Sequence, residues 1–287
     1  MSALGWVRMH GCGNDYVFID AFSQSVPPCP EELAHRLSDR HRSVGGDGLV
    51  LMLPPSEPGC HARMRMFNSD GSEGSLCGNA LRCMALWLHH SQLAPARMTI
   101  EMHGRHITAE VLRLDSQPRI NGIVRIALAP PKILAPHLPS PAGFAASVEL
   151  ADVEIPGLLH TPLKADPGNP HLVLFIQKLS AILVECLGPA LESHSAFPNR
   201  TNVEFAEPLH GNSVRVRVWE RGSGETLACG SGAIAVALAG AAAGLFDPTL
   251  PVHVQMTGGP LIVSLKADGT VQLEGPAEEC CRGLVQL

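Results

Sequence analysis

With 287 residues the chain can bury one large core or two of ordinary size, and its length favours two. A hydrophobic share of 45% against 17% charged excludes an extended, disordered chain. A net charge of -6 and the lack of any Lys/Arg run exclude nucleic acid and anionic membrane surfaces as partners, which leaves small-molecule work.

Taken from its start, MSALGWVRMHGCGNDYVFID has no basic region followed by an apolar stretch, so no secretory leader is expected and the cytoplasm is the expected compartment. The segments WVRMHG, YVFID, LVLML, ARMRMF, RMTIEM, ITAEVL and VRIAL carry the alternating, β-branched pattern of short strands, while EELAHRLSDRH and NALRCMALWLHH carry the helical one. The Pro-rich passage APPKILAPHLPSP, residues 129 to 141, interrupts both patterns and predicts a domain boundary. Domains are therefore expected at 1–129 and 130–277, with the apolar tail, about 278–287, crossing back as a last strand of the first. Beyond the boundary the order recurs: HLVLFI, a helical LSAILVECLGPALESH, strands NVEFAE and SVRVRVWE, an Ala-rich helix, then closing strands VHVQM, LIVSL and VQLEG. The longest uncharged run, ACGSGAIAVALAGAAAGLF, only reaches the lower edge of a membrane span and reads as a buried helix, so no membrane partner is expected.

Nine cysteines form an odd set with no CxxC pair, which argues against a disulfide framework and against a zinc knuckle. The histidines show no ligand spacing, and no metal is expected. Cys83 and Cys186 read as small core residues.

Two other cysteines stand apart. In MFNSDGSEGSLCGNALRCMAL, Cys77 lies between a polar turn and an apolar helix; in VWERGSGETLACGSGAIAVAL, Cys229 repeats the layout. At this offset of 152 residues Glu73 superposes on Glu225, Gly78 on Gly230, Ala85 on Ala237 and Leu86 on Leu238. HGCGNDYVFID likewise resembles DPGNPHLVLFI, with Asn14 over Asn169 at an offset of 155. Together the matches predict an internal duplication, although Gly-Asn ahead of an apolar strand also arises by chance.

The first N–H groups of a helix have no intrahelical acceptor, and the helix dipole places about half a positive charge beside them. A thiolate or a carboxylate is stabilised at such a place. Gly78 and Gly230 let a ligand approach the backbone closely, and Asn79 and Ser231 contribute the next N–H groups. A lone cysteine so placed is as a rule a packing residue; its repetition favours a shared chemical role. If a pseudo-twofold brings the domains face to face, the two thiols flank one carbon. One then serves as thiolate base and the other as thiol acid, which is the chemistry of inversion at a stereocentre.

In order and spacing, MHGCGNDYVFID, FNSDGSEGSLCGNALRC, PGNPH, RTNVEF and VWERGSGETLACGSGA resemble the motif series of the diaminopimelate epimerase family, from residue 9 to about residue 235. The resemblance implies an α+β fold of two pseudo-symmetric domains, each a strongly curved, mostly antiparallel, barrel-like sheet around a central helix. It implies a homodimeric epimerase that needs no cofactor and interconverts LL- and meso-diaminopimelate in lysine and peptidoglycan-precursor synthesis. The family's catalytic pair falls on Cys77 and Cys229, and the reacting carboxylate falls on the N–H groups of Gly78, Asn79, Gly230 and Ser231. Asn14 matches a substrate contact, while Asn68, Asn169, Asn202 and Arg221 match positions that grip the remote end of the substrate. Glu220 matches an acceptor for a substrate ammonium, and Glu220 and His171 match positions that tune the thiol pKa values. Two departures stand out: Gly48, where many members carry Gln, and Ala80, where glycine is commoner. A tyrosine looked for near the closing VQLEGPA is absent. The rival readings are an epimerase for another amino acid, a cysteine hydrolase pairing Cys77 with His171, and a metal- or redox-sensing thiol protein.

Overall fold

The computed structural model describes residues 3–74, 77–135, 141–150 and 152–286, so residues 136–140 of the Pro-rich passage lie outside the described residues. The chain divides into two compact units, 1–127 together with 274–287, and 128–273.

The first unit runs β1 (Ala3–Gly11), β2 (Asn14–Asp20), α1 (Pro30–Ser38), β3 (Gly48–Leu53), β4 (Ala62–Asn68), α2 (Gly78–His90), β5 (Arg97–Met102), β6 (Arg105–Asp115) and β7 (Asn121–Leu128). Most neighbours are antiparallel, but β2 pairs β3 in parallel and β4 pairs β5 in parallel. A parallel pair needs a long crossover, and α1 and α2 are those two crossovers. α1 is amphipathic and lays Leu33, Ala34 and Leu37 on Val17, Leu49 and Phe67. α2 packs against β1, β2 and β6 and buries Asn79 to Leu86 without a break. A helix buried on every side is a central element, and it needs an apolar sequence.

The second unit adds β8 (Ala145–Ser147), β9 (Leu163–Ala165), β10 (His171–Phe175), α3 (Val184–Glu192), β11 (Asn202–Pro208), β12 (Ser213–Glu220), β13 (Gly224–Thr226), α4 (Gly230–Ala242), β14 (Val252–Met256) and β15 (Gly259–Leu265). The same device recurs. β10 pairs β11 in parallel across α3, and β12 pairs β14 in parallel across α4. α4 is buried continuously from Gly232 to Gly240 against β9, β10, β11 and β15. No described helix is long and apolar enough to cross a membrane.

The last strand, β16 (Val271–Gln286), is 16 residues long. Its first three residues belong to the second unit and the remainder to the first, where it pairs both β1 and β7 and closes a circuit β1 through β7 and back. VQLEG and the tail from about 278, read from the sequence as two strands, thus belong to one, which runs to Gln286. The fold class is α+β with curved, barrel-like sheets, as the sequence led us to expect.

The duplication reaches past the cysteines into this architecture. Arg65 pairs with Glu73 at 2.8 Å and Arg217 with Glu225 at 2.7 Å, both offset by 152 residues. Phe67 bridges Glu73 just as Trp219 pairs with Glu225. One expectation fails: Cys186 is exposed, whereas Cys83 is buried. The buried face of α3 is Val184, Gly188 and Leu191, and Cys186 sits off that stripe.

Candidate active site

Cys77 and Cys229 each occupy the residue that precedes a 13-residue helix, with backbone angles φ -136°, ψ 111° and φ -127°, ψ 115°. Each side chain turns back over the helix end. Cys77 Sγ accepts from the Ala80 N–H at 3.5 Å, and Cys229 Sγ accepts from the Gly232 N–H at 3.4 Å. This is side-chain N-capping with sulfur in the place of the usual oxygen, and it gives each thiol a donor that favours its anion. Gly78, Asn79, Gly230 and Ser231 form the first turns, so their N–H groups are among those a helix leaves free.

Around half-buried Cys77 the first unit gathers an amide network. The thiol donates to Asn14 Oδ1 at 3.6 Å, and Asn79 Nδ2 donates to the same oxygen at 3.1 Å. Asn14 Nδ2 donates to Asp47 Oδ2 at 2.5 Å. Arg40 holds Asp47 at 2.8 Å and also holds Asp15. Burial pushes the Cys77 thiol up from its ordinary value; the Ala80 N–H, the Tyr16 hydroxyl, the Asn79 N–H and the Arg82 cation oppose it. Tyr16, the single tyrosine of the chain, is itself pushed well up by burial and then by Cys77. The sequence reading passed over Tyr16 and Arg82. Tyr16 lies two residues after Asn14 on β2, hence on the same face, and that period-2 relation was the available signal.

Buried Cys229 has different company. Ser231 Oγ lies 3.3 Å from its sulfur, and its backbone N–H meets Met256 Sδ at 3.2 Å. Burial drives the thiol well above its ordinary value, and the charges of Glu220 and Glu204 add to the effect against help from Ser231 and the Gly232 N–H. Glu220 accepts from Thr226 Oγ1 at 2.5 Å and from the Cys229 thiol; burial raises its carboxyl too. His171 and Glu204 are both fully buried, with Nδ1 to Oε1 at 2.7 Å. The other ring nitrogen lies 3.0 Å from Asn169 Oδ1, so both nitrogens of His171 are engaged. Glu204 Oε2 has no partner among the described residues. Asn202 donates to the Pro170 carbonyl at 2.9 Å and accepts from the Arg221 N–H at 2.9 Å. The Arg221 guanidinium is exposed and donates to the Asn199 carbonyl at 3.0 Å. Glu204 was missed, although it stands two residues after Asn202 on one strand face.

Asn68 stands outside both clusters. It closes its own turn, with Nδ2 donating to Ser72 Oγ at 2.9 Å and its N–H to the Ser72 carbonyl at 2.8 Å. Gly48 has a steric reason: a Cβ there would lie 2.1 Å from the Phe67 carbonyl oxygen and 3.1 Å from the Tyr16 ring, so this backbone leaves no room for a glutamine. No group of three metal-ligating side chains occurs among the described residues, and all nine cysteines are free thiols. Chemically, a helix-capping thiol beside N–H groups without an intrahelical acceptor can exchange a proton with a carbon acid whose carboxylate such groups bind.

A family model described as Diaminopimelate epimerase matches residues 6–124 and 164–279. A diaminopimelate epimerase of Desulforudis audaxviator is 43% identical over 282 residues, covering 97% of this chain and 98% of that protein. Another, of Pelotomaculum thermopropionicum, is 38% identical, with 97% of each covered. Among solved structures, a phenazine biosynthesis protein of the PhzF family from Bacillus anthracis aligns over 100% of both chains with a TM-score of 0.69 at 16% identity. A hydroxyproline epimerase from Agrobacterium vitis aligns over 99% of this chain and 91% of its own with a TM-score of 0.64 at 14% identity. These two share the fold.

Proposed function

This chain belongs to the diaminopimelate epimerase family, and from that premise we propose that it interconverts LL- and meso-diaminopimelate by a cofactor-independent exchange of protons at one α-carbon. Cys77 and Cys229 are the acid/base pair. A thiolate takes the α-proton and becomes a thiol, while the other thiol gives its proton to the opposite face and becomes a thiolate; running backwards, the roles exchange. The observation that carries this reading is the repeated sulfur cap, with N–H to Sγ distances of 3.5 and 3.4 Å at two helix starts of equal length.

An α-hydrogen is a weak acid, and the negative charge that appears on the carboxylate as it leaves must be stabilised where it forms. The N–H groups of Gly78, Asn79, Gly230 and Ser231 supply that stabilisation, and Asn14 contacts the substrate beside Cys77. Asn169, Asn202 and Arg221 recognise the remote end together with Asn68, for which the side chain leaves Ser72. Glu220 receives a substrate ammonium, and Glu220 and His171 tune the thiol pKa values. The halves that carry the thiols are 1–129 with the tail from about 278, and 130–277. The enzyme works in the cytoplasm as a homodimer within lysine and peptidoglycan-precursor synthesis.

The test is incubation with LL-diaminopimelate in D₂O, followed by NMR. Deuterium at the α-carbon and accumulation of the meso isomer are expected; wild-type protein that neither exchanges nor epimerises the substrate sinks the reading.

A further inference from the structure

The two halves close one turn in different ways. Phe67 and Trp219 are equivalent at the offset of 152, and so are the turns that follow them, 68–72 and 220–224. The first closes on itself: Asn68 Nδ2 donates to Ser72 Oγ at 2.9 Å, and Asp70 Oδ1 accepts from the Ser72 N–H at 2.9 Å. The second is held from outside, by Glu192 at the end of α3. Glu192 Oε1 accepts from the Gly222 N–H at 2.7 Å, and Oε2 accepts from Trp219 Nε1 at 2.8 Å. These two donors flank Glu220 and Arg221 in the chain. The helix is shaped for the contact. Gly188 and Glu192 lie four residues apart on one face, and a Cβ at Gly188 would come within 2.5 Å of the Trp219 ring, so the indole lies over the glycine with its N–H at the carboxylate.

The same residue holds a second segment. Oε1 pairs with Arg200 Nη2 at 2.5 Å, and the Glu192 backbone carbonyl accepts from the Thr201 N–H at 3.1 Å. Asn202 comes next and closes the circuit, since its Oδ1 accepts from the Arg221 N–H at 2.9 Å while Arg221 Nη1 donates to the Asn199 carbonyl at 3.0 Å. Segments 199–202 and 219–222 are thus tied to one residue that is 4% exposed. A buried carboxylate is costly unless donors surround it, and here donors reach both oxygens. The self-closed turn of the first half shows that closing the turn does not require one.

We propose that Glu192 is a positioning residue for substrate recognition, which fixes the backbone on either side of Arg221 so that the guanidinium is presented to the remote carboxylate of the substrate. The proposal rests on the reading of Arg221 as the contact for that end. Initial rates with LL-diaminopimelate are compared for wild type, Glu192→Met and Glu192→Gln, each with and without Arg221→Ala, and hydrogen exchange at the Gly222 amide is followed by NMR. Methionine has the length of glutamate and no oxygen, whereas glutamine keeps one acceptor that can face Gly222 and Arg200. Glu192→Met is expected to lower kcat/KM by about tenfold or more, chiefly through KM, but by less than about twofold when residue 221 is already alanine. Glu192→Gln is expected to stay within about threefold of wild type. Gly222 exchange is expected to be slow in wild type and at least about tenfold faster in Glu192→Met, relative to the buried amides of α4. Equal losses in both backgrounds, a loss carried by kcat alone, glutamine as poor as methionine, or a Gly222 amide that exchanges freely in wild type would each overturn the proposal. So would a Glu192→Met chain that does not fold, because Glu192 would then be structural. The exchange measurement needs no substrate: wild type that leaves LL-diaminopimelate untouched, while Glu192→Met still releases Gly222, would instead strike the epimerase reading.

Discussion

α2 and α4 are copies in length, capping angle and sulfur geometry, yet the two thiols they present sit in opposite electrostatic settings. Cys77 faces a buried cation, a phenol and an amide pair. Cys229 faces two carboxylates, Glu220 and Glu204. The contrast extends to the third residue of each helix. A Cβ at Gly232 would meet Glu204 Oε1 at 2.7 Å, so an alanine there must displace that buried carboxylate, whereas Ala80 is buried in the other half. The two halves share the sulfur cap, and the residues that differ between them set Cys77 beside a hydroxyl and a cation that oppose the effect of burial, and Cys229 beside carboxylates that add to it. An inversion run in one direction needs that inequality at its start.

The comparison breaks first at the sulfurs. Cys77→Ala and Cys229→Ala should each lower epimerisation by about 10²–10⁴-fold, as loss of a general acid or base does; initial rates measure it, and ordinary turnover in either variant removes the pair from the mechanism. Next comes the carboxylate peculiar to the second half. Glu204→Ala leaves His171 without its buried partner and should cost about 3–5 kcal/mol in urea unfolding; an effect near zero would mean that the pair carries no charge.

Smaller effects sharpen the contrast. Gly232→Ala should destabilise by about 1–3 kcal/mol through overpacking against Glu204. The mirrored change, Ala80→Gly, should cost only about 1 kcal/mol as a loss of helix propensity. Equal costs would deny that Glu204 sets the difference. Finally, burial holds the Glu220 carboxyl above 4.5, its ordinary value. A raised folded-state pKa gives stability that is complete below the unfolded value and is lost as pH rises through the folded one. Glu220→Gln should therefore flatten the decline in urea midpoint on raising the pH from 4.5 in the wild type.

The thiols were legible because a repeat at a fixed offset marks equivalent positions even when no single copy is distinctive. Most strands and α2 were legible from their periodicity and α4 from its uncharged, Ala-rich run, whereas the three-residue strands β8, β9 and β13 are too short to carry a pattern. Arg82 was not, because an arginine in the second turn of a helix ordinarily points to water, and only the burial of α2 on all sides turns it inward. Glu204 escaped for the same reason, as one polar residue in an apolar strand whose partner, His171, comes 33 residues earlier. β16 read as two strands because Gly275 and Pro276 interrupt its local pattern, while the pairing that carries it through comes from β1 and β7, distant in sequence.

The inequality of the two thiols is most directly measured by ¹³Cβ-cysteine NMR titration of the wild-type protein, with the two resonances assigned from the single alanine variants. Cys77 is expected to ionise at a lower pH than Cys229, and coincident midpoints, or Cys229 ionising first, would contradict the division of roles drawn from their surroundings.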